Sequence, residues 1–227
     1  MTAKTKKIVL SVIAIISLLL LFNSPIKRAL INTFHPNVSY SQMNKNKRAK
    51  ATYDYGQVRR LTMSNIAAAR ANARNLKIIG IISIPSDDIN LPISKGITNQ
   101  NLALSAGTFR PDMKMGKGNY ALAGHNMANL GPKELFSPLY YKAKVGQKVY
   151  ITDLHRIYIY KISQKVFISK YSTNVIRNTH KRILTLITCD ATGANRLMVR
   201  GNYIKSEKYS QASPKLRHEL SKNYNIH

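Results

Sequence analysis

The sequence predicts an all-β domain, a barrel or a sandwich, spanning residues 76–208 behind an apolar amino-terminal helix. Two observations carry this. After Leu76, short runs rich in β-branched and aromatic residues recur: KIIGIISI, YALAG, KVYITD, RIYIYKISQKVFI, RILTLIT and RLMVRGNYI, separated by Gly, Pro, Asn and Asp. Before Leu76 the pattern is different, an apolar run followed by polar, basic sequence. With 227 residues the chain holds one well-packed core plus an appendage, and it shows no internal repeat of fixed period.

The elements follow in order. Residues 1–28 open with Lys4, Lys6 and Lys7, then run apolar from Ile8 to Phe22, broken only by Ser11 and Ser17. This reads as a signal peptide or a signal anchor. The following NSPIKRALIN lacks a small-x-small cleavage site, so an uncleaved transmembrane anchor is expected, with the lysines cytosolic and the remainder outside. Residues 29–75 begin as a solvated basic spacer, poor in large aliphatics. They end in QVRRLTMSNIAAARANARN, whose alanines and good helix formers predict a helix leading into the domain. Residues 209–227 are polar and are expected to form a loose tail.

Composition excludes several kinds of chemistry. The formal charge is +27, from 36 Lys and Arg against 9 Asp and Glu, which gives a surface field attractive to phosphate-rich polymers or anionic lipid. So few, scattered acids offer little for a carboxylate dyad or a hard-metal cage, and no metal or other cofactor is expected. The single cysteine excludes an internal disulfide and a multi-thiolate zinc site. It leaves a buried spare thiol or a reactive one. Nucleic-acid binding is not expected, because no basic reading helix is recognisable.

That cysteine, Cys189, ends the strand RILTLIT. Alternation puts Thr185, Ile187 and Cys189 on one face and Leu184, Leu186 and Thr188 on the other. The turn formers of DATGAN, residues 190–195, predict a hairpin, so Cys189 and Arg196 flank a loop on paired strands. A guanidinium beside a thiol stabilises a thiolate or a developing oxyanion. Arg200 is a rival for that role, placed one face-pair further from the thiol. Of the six histidines, His125 stands out because it follows an apolar strand and a glycine that permits a tight turn. Each of the three residues has a plain structural reading: a buried small thiol, a satisfied histidine, a solvated arginine. Pattern alone leaves open a cysteine enzyme, a secreted cysteine hydrolase being one form, and a non-enzymatic binder of anionic wall polymers.

TLITC (185–189), LAGHNM (122–127) and the arginine of RLMVRG (196–201), in this order, resemble the signature set of the sortases, cell-wall transpeptidases of Gram-positive bacteria. The likeness extends through GIISIPSDDINLPISKG and GTFRPDMKMGKGNYALAGHNM, and the amino-terminal anchor is similar to that of class A. The resemblance implies an eight-stranded β-barrel with short helices. It implies Cys189 as nucleophile on the Thr–Gly bond of LPxTG sorting signals, His125 as proton donor and acceptor, and Arg196 as support for the substrate and oxyanion. Thr188 would line the same spot, and Ala123 and Ile187 would help form an apolar groove for the Leu-Pro part. The implied partners are LPxTG-bearing surface proteins, the amine of the precursor lipid II or the peptidoglycan cross-bridge, and the membrane. The implied location is the cell surface of a single-pass membrane protein.

Overall fold

The computed structural model describes residues 2–37, 39–127, 132–190 and 192–221. Eight strands close a barrel: β1 (Ile78–Ile84), β2 (Ile89–Ser94), β3 (Ala106–Thr108), β4 (Asn119–Ala123), β5 (Lys148–Thr152), β6 (Arg156–Ser169), β7 (Ile183–Cys189) and β8 (Asn195–Lys208). Their order around the barrel is β1, β2, β3, β4, β7, β8, β6, β5, returning to β1. Closure removes exposed sheet edges and resolves the choice between barrel and sandwich. The six anticipated strand runs all form. The two that the pattern missed are β2 and β3. β2 contains Pro92, which normally argues against a strand. It is accommodated because pairing with β3 begins only at Ile93, leaving the other edge of Pro92 free of a ladder. β3 has only three residues and no periodicity to read.

Alternation along the strands divides the apolar residues into two clusters. Leu122, Leu184, Leu186, Leu197 and Val199 fill the barrel with Ile82, Ile84, Ile93, Ile151 and Tyr160. On the opposite face Ala121, Ala123, Ile187 and Met198 form a second apolar floor with Ile97, Leu102 and Phe109. Burial of each large side chain contributes roughly 1.5–3 kcal/mol, so both clusters hold the β4–β7–β8 strands in register.

Seven helices accompany the barrel among the described residues: α1 (Ala3–Leu21), α2 (Asn23–Asn32), α3 (Tyr40–Lys47), α4 (Met63–Ala71), α5 (Asn99–Leu104), α6 (Ser137–Tyr141) and α7 (Pro214–Ser221). Thr2 caps α1 by accepting from the Thr5 amide. The large apolar side chains described along α1, Ile8 to Leu18 and Leu20 to Phe22, are exposed. No single helix here is long and apolar enough to cross a membrane; α1 and α2 together satisfy length and composition, with a bend of 47° between them. The anticipated helix within 57–75 is the shorter α4, capped by Thr62 and anchored by buried Ile66 and Ala69.

The spacer and the tail both differ from expectation. The described residues within 29–56 are wrapped onto the barrel rather than free. Phe34 and Met43 pack with Ile78 and Leu104, and Ile31 joins the barrel interior. Asn46 donates to the Ile78 carbonyl at 2.8 Å, and Lys47 reaches Asp153 at 2.7 Å. A few well-spaced apolar anchors outweigh the polar background, which is why composition misled. Met43→Ala is expected to cost about 2–5 kcal/mol, measured as a lowered denaturant midpoint at unchanged slope. An unchanged midpoint would show that α3 is not part of the folded unit. The stretch expected as a loose tail likewise folds as α7, with Leu220 and Ala212 buried against Ile157 and Ile159 and Leu216 beside them. Leu216 and Leu220 stand four apart, one helix face, too sparse a pair to register in a polar sequence. Residues 222–227, the rest of that tail, lie outside the described residues.

Candidate active site

The strand register brings the three candidate residues together. β7 and β8 are antiparallel, with Cys189 directly opposite Arg196, as the hairpin reading expected. β4 and β7 are parallel, with Ala123 opposite Ile187. His125 and Cys189 each lie two residues beyond that pair, level at the ends of neighbouring strands about 4.8 Å apart. The Gly124 amide donates to the Ile187 carbonyl at 3.1 Å, and the Asn126 side-chain amide donates to the Cys189 carbonyl at 3.0 Å. These bonds continue the β4–β7 pairing past the strand end and fix the His125 loop to the thiol's own backbone.

Gly124 serves a purpose other than a tight turn. A Cβ there would stand 2.4 Å from the Phe136 ring. Phe136 is fully buried and its amide donates to the His125 carbonyl at 3.0 Å. The glycine thus lets an aromatic ring brace the histidine loop from behind.

Arg196 is anchored through one guanidinium nitrogen, Nη1, which donates to the carbonyls of Gly193 at 3.1 Å and Asn195 at 2.9 Å. Its Nε is buried without a hydrogen-bond partner among the described residues. Arg200 lies opposite Thr185, two same-face pairs from Cys189 rather than one, and donates to the Thr185 hydroxyl and the Val175 carbonyl. It is not beside the thiol.

Ala123 and Ile187 sit together on the outer apolar floor. Thr188 does not share that face. Alternation turns it inward with Leu184 and Leu186, and its hydroxyl is buried with no partner among the described residues.

Burial governs the ionisation of the pair. The His125 Nε2 is buried with no hydrogen-bond partner among the described residues, and burial lowers the imidazole pKa to about 4. Burial likewise pushes the Cys189 thiol up, and Asp190 adds to the rise, while Arg196 and Arg60 pull the other way. Neutral thiol and neutral imidazole are therefore the resting forms of the two groups. For peptide turnover, kcat/KM is expected to hold a plateau through neutral pH. Its acid limb should fall well below the ordinary imidazole value of ~6.5, and its alkaline limb above the ordinary thiol value of ~8.5. A pH series of initial rates checks this, and an acid limb centred on ~6.5 would contradict the burial of His125. The unfolded chain takes up this proton near pH ~6.5 and the folded chain only near 4. Folding stability therefore also declines as pH falls through that window.

Sequence reasoning missed the residues that the wrapped spacer contributes. The Tyr55 ring centroid is 5.8 Å from the Arg196 guanidinium and 5.4 Å from the Phe109 ring. Burial raises the Tyr55 hydroxyl pKa, the Cys189 charge adds to it, and Arg196 opposes it through charge and a hydrogen bond. Val58 packs on the same floor as Ala123 and Ile187, and Arg60 donates to the Thr192 carbonyl in the β7–β8 hairpin at 3.3 Å. The available signal was TYDYG, two tyrosines inside a spacer otherwise poor in large apolar side chains.

Comparison with known proteins agrees with this geometry. Residues 82–204 match the family described as the Sortase domain. Sortase A of Streptococcus agalactiae serotype III is 38% identical over 221 residues, covering 93% of this chain and 89% of the relative. Sortase A of Listeria monocytogenes serovar 1/2a is 36% identical, covering 91% of this chain and 95% of the relative. The solved Listeria sortase A superposes with a TM-score of 0.58 at 38% identity, covering 63% of this chain and 97% of that one. Sortase C-3 of Streptococcus pneumoniae, at 18% identity and a TM-score of 0.60 over 87% of this chain and 98% of its own, shares the fold. A cysteine closing a barrel strand, paired with an arginine and level with a histidine, on a chain matched over most of its length, places this protein in the sortase family of cysteine transpeptidases, class A.

Proposed function

We propose that this sortase cleaves the Thr–Gly bond of LPxTG sorting signals and transfers the threonyl acyl group to a cell-wall precursor amine. The observation that supports it most is the direct pairing of Cys189 with Arg196 beside an apolar floor containing Ala123 and Ile187. In the first step Cys189 gives its thiol proton to His125, the sulfur attacks the threonyl carbonyl, and the C–N bond to glycine breaks. His125 delivers a proton to the departing amine, leaving a thioester on Cys189. The Arg196 Nε–H donates to the oxyanion of the tetrahedral intermediate. In the second step the incoming amine attacks the thioester and gives its proton to His125, the C–S bond breaks, and the departing Cys189 thiolate takes that proton back. Leu and Pro of the signal lie on the Ala123–Ile187 floor, and Thr188 backs Cys189 from inside the barrel.

The acceptor on this reading is an amine of lipid II or the peptidoglycan cross-bridge, whose pyrophosphate suits a chain of net charge +27. The exposed apolar surface of α1, continued by α2, supports a membrane anchor, with the barrel outside the cell. The test is incubation of the protein with an LPxTG peptide, with and without oligoglycine. An amine-ligated product formed at the expense of starting peptide is expected. Hydrolysis unaffected by amine, or no cleavage by folded protein, would contradict the assignment.

A further inference from the structure

The segment between β6 and β7 makes a short 3-10 turn over Thr173–Ile176, and its carbonyls are held from outside the segment. Asn119, at the start of β4 and 1% exposed, uses its side-chain amide twice, donating to the Val175 carbonyl at 2.8 Å and the Arg177 carbonyl at 2.9 Å. Its own side-chain oxygen accepts from the Thr185 hydroxyl at 2.8 Å. Arg200 on β8 donates to the same Val175 carbonyl at 3.2 Å and to Thr185 at 3.4 Å. Arg110, after β3, donates to the middle carbonyl, that of Ile176, and also to the Asn119 carbonyl at 3.1 Å. Three successive carbonyls thus meet donors from three other elements. Two of the donors are guanidinium groups, whose charge-assisted bonds are stronger than neutral ones and whose forks span two acceptors.

The segment's side chains face the site. Val175 and Ile176 pack on the floor formed by Ala121, Ala123, Ile187 and Met198, to which Tyr55 and Val58 also contribute. Arg200 is two same-face pairs from Cys189, too far along the strand to serve the oxyanion, yet within reach of the wall beside it.

We propose that Arg200 and Arg110, together with Asn119, are positioning residues that set residues 173–178 as a wall of the peptide groove, fixing where the apolar residues of the sorting signal bind. The proposal rests on the assignment of Ala123 and Ile187 to that groove. Its consequence is a division of labour on β8: Arg196 serves the chemistry and Arg200 serves recognition.

Arg200→Ala and Arg110→Ala, each checked for folding by circular dichroism, are read three ways in the full-length protein. Amide hydrogen exchange across 173–178 is expected to rise in both. KM for an LPxTG peptide is expected to rise about tenfold, the scale of losing one charge-assisted bond, with kcat within about threefold. Alkylation of Cys189 by iodoacetamide should keep its wild-type rate. Unchanged exchange, a fall in kcat at constant KM, or raised exchange with unchanged KM would each overturn the proposal. Wild-type protein that forms no thioester with the peptide would refute the functional reading and the recognition role with it, while exchange would still decide whether the arginines hold the segment.

Discussion

Cys189→Ala is expected to lower LPxTG cleavage by at least ~10⁴-fold, and His125→Ala by an amount within about tenfold of that, because the two act as one unit. The structure makes Cys189 the sole thiol among all 227 residues, so no neighbour substitutes for it. Folding should be intact in Cys189→Ala, since the side chain is only part-buried at the strand end and the β7–β8 ladder is backbone-made. Quenched-peptide assays with a matched thermal melt check this. Retained turnover in the alanine variant would remove the thioester mechanism, and normal turnover in His125→Ala would require another proton carrier.

Arg196→Lys is expected to cost about 10²–10³-fold in kcat/KM, the scale of losing one oxyanion donor, although the charge is kept. Nη1 is occupied by the Gly193 and Asn195 carbonyls while Nε remains unpartnered. A guanidinium can hold the hairpin with one edge and the substrate with another. An ammonium on a flexible stem must choose between them, and the Tyr55 ring loses the flat cation beside it. Kinetics of the lysine variant measure the effect, and Arg200→Lys is the control. A larger loss at Arg200 than at Arg196 would mean that the roles assigned along β8 are reversed.

The barrel was legible where strands carry a pattern of their own. RILTLIT and RLMVRGNYI announce β7 and β8, and the turn formers between them set the register that pairs Cys189 with Arg196. Residue spacing alone cannot show that β4 lies parallel to β7. That pairing is long-range, and it is what puts His125 level with Cys189. The contribution of Tyr55 was hidden for the same reason. It lies far from Cys189 in sequence, on a stretch whose polar composition reads as solvated, and packing on Phe109 rather than local propensity places it. Thr188 shows the converse. Alternation along β7 turns its hydroxyl to the inside, whereas the family likeness alone put it on the substrate side. The carboxy-terminal helix escaped because two leucines and an alanine suffice to dock it on β6.

The basic surface and the wrapped spacer act together in the account of how the enzyme meets its substrates. The chain from α2 to α4 is fixed to the barrel through Ile31, Met43 and Ile66. On the proposed anchoring, α1 would hold the groove at a set distance from the membrane rather than on a free tether. On the same proposal, signals and precursor amines presented at the membrane surface would meet a site of fixed height.

The central claim is that Cys189 carries the acyl group between the sorting signal and the amine. It is tested most directly by intact-protein and peptide-mapped mass spectrometry of the enzyme mixed with an LPxTG peptide, quenched in acid before and after oligoglycine is added. The account predicts an adduct of the peptide's threonyl fragment on Cys189 that disappears as the amine-ligated product forms. Product formation with no adduct on Cys189, or an adduct located on another residue, would contradict it.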